Sequence, residues 1–120
     1  MNISPTSLFA DIPKELPLEL CQTLFLNPTV RIERILSQNH HSPEQGWYDQ
    51  PQTEWVMLLQ GQARLSFADA DPVDVKAGDY LLIPAHCKHR VDWTSNTPMC
   101  IWLAIHIFEH ESSDCPSVGA

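Results

Sequence analysis

Glu54 opens the run "EWVMLLQG" and His89 closes the run "GDYLLIPAHCKH". A carboxylate oxygen and an imidazole nitrogen that meet in a pocket poor in water have two chemical uses. They bind a divalent cation such as Fe, Mn, Ni or Zn, or they hold a small ligand in a metal-free hydrogen-bond network. Further donors lie close in sequence. Tyr48, Asp49 and Gln50 precede Glu54 across Pro51, His86 stands three residues before His89, and His40 and His106 are more distant. Each has an ordinary alternative. His40 and His41 in a polar run read as solvated loop residues, His106 on an apolar strand as a core histidine, and His86 as a turn shaper. Glu54 alone would be a buried carboxylate held by Arg64 or Tyr48. No Gly-x-Ser-x-Gly elbow presents a nucleophile, and no Gly-rich loop opens a helix to cradle phosphate.

These residues must be positioned by strands. From about residue 30 to 108 the chain alternates short apolar, β-branched runs with Pro, Gly, Asn and Asp, the texture of an antiparallel all-β domain. The expected strands are 30–37, 54–60, 62–68, 73–77, 80–84, 89–94 and 100–108, with "DADP" at 69–72 as a hairpin turn. Period-two alternation puts His89, Val91 and Trp93 on one face, turned inward, and His106 in phase with Trp102 and Ala104. Both faces of 54–60 are apolar. Trp55, Met57 and Leu59 are therefore expected to pack under the N-terminal segment or against a second subunit.

The remaining segments frame this domain. "KELPLELCQTLF" has Leu16, Leu20 and Leu24 four apart, which predicts a short helix within an N-terminal brace or lid over 1–29. The barrel proper spans 30–108. Residues 109–120, acidic and small, read as a flexible tail.

Composition narrows the partners. A chain of 120 residues with a formal net charge of −8 is one domain and a poor match for a phosphate backbone or an anionic membrane. No stretch approaches the roughly 20 apolar residues that span a bilayer, and no signal sequence opens the chain, so it reads as soluble and cytoplasmic. Cys21, Cys87, Cys100 and Cys115 form no CxxC pair and read as reduced thiols, Cys87 as a small buried hydrophobe.

The motifs resemble those of a small single-domain cupin, a double-stranded β-helix or jelly-roll barrel. The first cupin motif runs Gly, His-x-His, Glu, six residues, Gly; here Glu54 and Gly61 match and the His-x-His pair is replaced. The second runs Gly, five residues, Pro-x-Gly, two residues, His; here Gly78, Pro84 and His89 match, and His86 replaces the second Gly. The resemblance implies one divalent ion held inside the barrel by Glu54 and His89, assisted by Gln50, Asp49 or His86. Strand parity favours Tyr48 and Gln50 at the histidine positions, while a bulge at Pro51 brings Asp49 inward instead. Tyr48, His106, Trp93, Arg64 and His40 are the candidates for lining a ligand pocket.

Three functions are compatible with this reading. One is a metal-dependent enzyme of the dioxygenase, isomerase or decarboxylase type acting on a small molecule. The second is a metal-free binding or sensory module that uses Glu54, Gln50 and His89 as a hydrogen-bond network. The third is a structural barrel, a homodimer through its apolar outer face.

Overall fold

A computed structural model of the chain describes residues 3–43 and 45–108. Eight strands form two packed sheets: β1 (Leu20–Leu26), β2 (Val30–Ser37), β3 (Thr53–Gln60), β4 (Gln62–Phe67), β5 (Ala70–Lys76), β6 (Tyr80–Ile83), β7 (His89–Thr94) and β8 (Cys100–Ile107). One sheet has the order β1-β2-β8-β3-β6 and the other β5-β4-β7, all pairs antiparallel. This is the expected all-β jelly roll. Strands β2 to β8 coincide with the anticipated runs to within a few residues.

Val56, Leu58, Ala63, Leu65, Val75, Ile83, Cys100, Trp102 and Ala104 meet between the sheets as one core. Each wholly buried leucine, such as Leu58, contributes about 2 kcal/mol by leaving water. Cys87 packs against this core, and Cys21, Cys87 and Cys100 are free thiols. Cys115 and the tail expected over 109–120 lie outside the described residues.

Three local expectations are overturned. No described residue is helical: "LCQTLFL" is β1, paired with β2 and bulged at Leu24. Pro13 and Pro17 deny a helix its backbone donors, and the open edge of β2 offers this segment a ladder instead. An Asx turn joins the two strands, with the Asn27 side-chain oxygen accepting from the backbone N–H groups of Thr29 and Val30 at 2.9 and 2.8 Å. The β4–β5 turn is also shorter than "DADP", because β5 already begins at Ala70. Pro72 is tolerated since β5 is an edge strand.

The third correction concerns β7. Arg64 pairs with Trp93 but Leu65 pairs with Val91, so Asp92 is an extra residue and the parity reverses there. His89 and Val91 face inward as expected. Thr94 takes the inward place, and Trp93 turns out to solvent.

The outer face of the larger sheet is partly covered. Arg34, buried on β2, donates to the carbonyls of Leu8 and Ala10 at 3.0 and 2.7 Å and to Gln22 at 2.7 Å, which fastens residues 8–10 over β1 and β2. Toward the β6 edge of that sheet Trp55 instead stacks beside Tyr80, ring centres 5.5 Å apart. Among the described residues no helix is long and apolar enough to cross a membrane.

Candidate functional site

A cavity of about 390 Å³ opens between the sheets, a volume ordinary for a small-molecule site. The register of the larger sheet arranges its wall in rows. Arg31, His106, Glu54 and Ile83 are successive cross-strand partners, and the next row runs Glu33, Ala104, Val56 and Leu81. Facing side chains in such a row stand about 5 Å apart. The first row is polar, and the rows beyond it become apolar toward Trp102 and Leu58.

A chain of hydrogen bonds follows that polar row. Gln50 Nε2 donates to Glu54 Oε1 at 3.1 Å, and Gln52 Nε2 donates to Gln50 Oε1 at 3.1 Å. Gln52 also approaches His106 Nδ1 at 3.5 Å, while His106 Nε2 lies 2.7 Å from Glu33 Oε1. A carboxylate accepts, so His106 carries its hydrogen on Nε2 and offers Nδ1 as the acceptor. Both nitrogens of this buried ring are engaged. Glu54, in contrast, has no partner on Oε2 among the described residues.

His89 faces this row from the smaller sheet. Its Nδ1 lies 2.8 Å from the carbonyl of Cys87, an acceptor, so Nδ1 carries the hydrogen and Nε2 of the neutral ring is an acceptor left open. Tyr48 and Phe67 flank the imidazole, with ring centres at 5.7 and 6.2 Å. Tyr48 is held there by a two-way backbone bridge to His89, N–H to O at 2.8 and 3.1 Å.

That bridge decides which of the residues before Glu54 face inward. Tyr48 belongs to the ladder of β7, and the chain crosses at Pro51 before joining the opposite sheet as β3. Tyr48 and Gln50 line the cavity. Asp49 points away and pairs with His86 at 2.8 Å, both exposed, beside a backbone bond from His86 N to Gln50 O of 2.7 Å. Asp49 and His86 thus pin the crossing from outside and reach no common centre with Glu54 and His89.

The other anticipated residues divide in the same way. Glu54, His89, Gln50, Tyr48 and His106 share the cavity. Arg64 and Trp93 are partners on the outer face of the smaller sheet, where Arg64 holds Asp74 at 2.7 Å. This hydrogen bond keeps the Asp74 carboxyl below its ordinary range. Glu54 is accordingly held by Gln50 and not by Arg64. His40 lies outside the cavity lining and accepts at Nδ1 from the Gln38 backbone at 2.7 Å.

Sequence reasoning overlooked Glu19, Cys21, Arg31 and Glu33, all of which line the cavity. In "VRIERILS" the phase Val30, Ile32, Leu36 looks like the core face, and Arg31 and Glu33 like the wet one. The cover fastened by Arg34 reverses that reading, because it shields the outer apolar phase. Cys21 sits among Glu19, Glu33 and Arg31, and partial burial followed by the glutamate charges pushes its thiol up, away from the reactive thiolate.

The four-ligand metal arrangement implied by the motifs does not fit these residues. Two of its positions hold Tyr48 and Gln50, and among the described residues no three His, Cys, Asp or Glu side chains converge as a metal site. Glu54 and His89 remain as one carboxylate and one imidazole.

Comparison with known proteins agrees with this architecture. The sequence profile of the family described as "Cupin domain" matches residues 37–106. A crystal structure from Ralstonia eutropha JMP134, bearing the provisional name of a mannose-6-phosphate isomerase, is 42% identical, with a TM-score of 0.84 over 89% of this chain and 100% of that one. A cupin superfamily protein from Desulfitobacterium hafniense DCB-2 is 20% identical, with a TM-score of 0.69 over 82% of this chain and 84% of the other. A cupin with a double-stranded β-helix fold from Methanocaldococcus jannaschii gives 13% and 0.63, covering 81% and 86%. No curated protein matches. With its barrel and the family profile spanning more than half of its length, the chain belongs to the cupin family.

Proposed function

We propose that the barrel binds a small polar molecule in its cavity and acts on it by proton transfer through Glu54. One observation carries this reading: Glu54 and His89, on opposite sheets and each about nine-tenths buried, both leave an acceptor atom open to the same cavity. A buried carboxylate fixed on one oxygen and open on the other is suited to accept a proton from a bound molecule. The similarity to the Ralstonia protein favours an isomerase-type transfer between neighbouring carbon atoms over redox chemistry. Glu54 would take the proton from the hydroxyl-bearing carbon and return it to the neighbouring carbonyl carbon, while the hydroxyl proton passes to the former carbonyl oxygen, so that the product is an isomer with no net change in oxidation state.

The metal-dependent alternative uses the same two residues, with Gln50 completing the shell of one Fe, Mn, Ni or Zn ion. Thermal melting separates the two. Small polar compounds screened without added metal should raise the Tm of wild type, by on the order of 10 °C at a hundredfold excess over Kd, and not that of Glu54→Gln or His89→Ala. No shift from any compound defeats the binding reading. A shift from metal alone that both variants abolish replaces it with the metal-dependent one.

A homodimer is a further proposal, resting on Tyr80 and Leu82, which are 64% and 61% exposed beside Trp55. A second copy is the occupant that the same apolar patch satisfies on both sides of a two-fold contact. A monomeric mass at micromolar concentration removes it.

A further inference from the structure

If the cavity is the binding site proposed above, its wall also specifies the charge of the ligand. Of the buried ionisable side chains on that wall, His106 has both ring nitrogens engaged, whereas Glu54 and His89 each keep one atom open. Both open atoms, Glu54 Oε2 and His89 Nε2, are acceptors. A ligand that covers them must bring hydrogen-bond donors, since an acceptor sealed from water without one costs free energy.

The charged residues point the same way. Among the described residues, Glu19, Glu33 and Glu54 line the cavity against a single guanidinium, that of Arg31. The Arg31 charge is balanced by Glu33, with Nε 3.6 Å from Glu33 Oε1, and its guanidinium lies 5.7 Å from the Phe108 ring centre, although the buried Nε makes no hydrogen bond. Two formal negative charges, on Glu19 and Glu54, therefore lack a cationic partner on the described wall. The ring of Tyr48, beside His89, adds a π face of the kind that attracts cations.

We infer that the cavity selects a small organic cation, a primary ammonium compound bearing further hydroxyl or amine donors, with its ammonium group drawn by the unpaired charges of Glu19 and Glu54 and a hydroxyl or amine donor on His89 Nε2, which leaves Glu54 Oε2 to the proton transfer proposed above. A phosphate ester is the opposite of this ligand: its phosphate brings only acceptors and more negative charge to a wall rich in both. The activity suggested by the Ralstonia protein's name would thus require a differently charged cavity from the one this chain builds.

The test uses the full chain and a matched set of hexoses, glucosamine, glucose and glucose 6-phosphate, at a pH where the amine is protonated, together with primary ammonium compounds from methylammonium to 1,4-diaminobutane. Calorimetry and thermal melting should show at least one ammonium compound binding about tenfold or more tightly than its neutral counterpart, with that advantage lost in Glu54→Gln. Glu19→Gln, which changes a second carboxylate of the lining, should reduce the same preference and guards against a folding defect in the first variant. Equal binding of glucosamine and glucose, or tighter binding of glucose 6-phosphate, overturns the charge assignment while leaving the cavity a ligand site. Binding by none of the ammonium compounds overturns it as well, and the wider screen of neutral and anionic compounds then decides whether the cavity binds anything.

Discussion

Among the described residues, two carboxylate–imidazole pairs have nearly equal length and very different setting. His106 and Glu33 meet at 2.7 Å with side chains 6% and 13% exposed, whereas His86 and Asp49 meet at 2.8 Å with 69% and 41% exposed. Distance alone would rank them together. Solvent separates them, because water competes for the exposed pair and screens it, while the inner pair has no substitute partner once desolvated. The inner pair belongs to a continuous chain that ends on Glu54. The outer pair fastens one loop crossing to another.

The contrast can be broken experimentally, and the largest effect should come from removing half of the inner pair. Glu33→Ala or His106→Ala leaves a buried polar group orphaned and should cost about 3 kcal/mol, read from urea unfolding. A loss no larger than that of an exposed variant would show that cavity water replaces the missing partner. Removing both halves together should cost less than the sum of the single losses: Glu33→Met combined with His106→Leu orphans neither member of the pair and leaves only Arg31 and Gln52 without a former neighbour. If the double variant loses as much as the sum of the single ones, the pair's strength lies in packing and not in the hydrogen bond. The smallest effect belongs to the outer pair, where His86→Ala or Asp49→Ala should change unfolding by no more than about 0.5 kcal/mol. A larger loss there would mean that the backbone bond from His86 to Gln50 depends on the side chains.

The same contrast explains which residues can be read from the sequence. The strands are legible because period-two alternation and Gly or Pro punctuation both report local geometry. Glu54 and His89 are legible because motif spacing fixes register along single strands. Three points resist for identifiable reasons. The choice between Asp49 and Gln50 depends on Tyr48 pairing with β7, a contact between segments some forty residues apart that no alternation rule reaches. Trp93 escapes its expected face through one extra residue at Asp92. Glu33 is hidden by polarity itself: a charged residue on an amphipathic strand looks solvated until something covers the opposite face. That cover comes from residues 8–10, held by Arg34 through a tie that no local pattern marks.

Strand β8 stands between β2 and β3, so the polar row Arg31, His106, Glu54 is joined only through its middle member. During synthesis this has a consequence of timing. Until residues 100–107 emerge, the β1–β2 hairpin and the β3–β6 ladder have no shared neighbour in their sheet, and each shows unpaired edge groups to the solvent. The two halves of the larger sheet can close around the cavity only once that strand inserts between them, and unpaired edges of this kind favour aggregation for as long as they last.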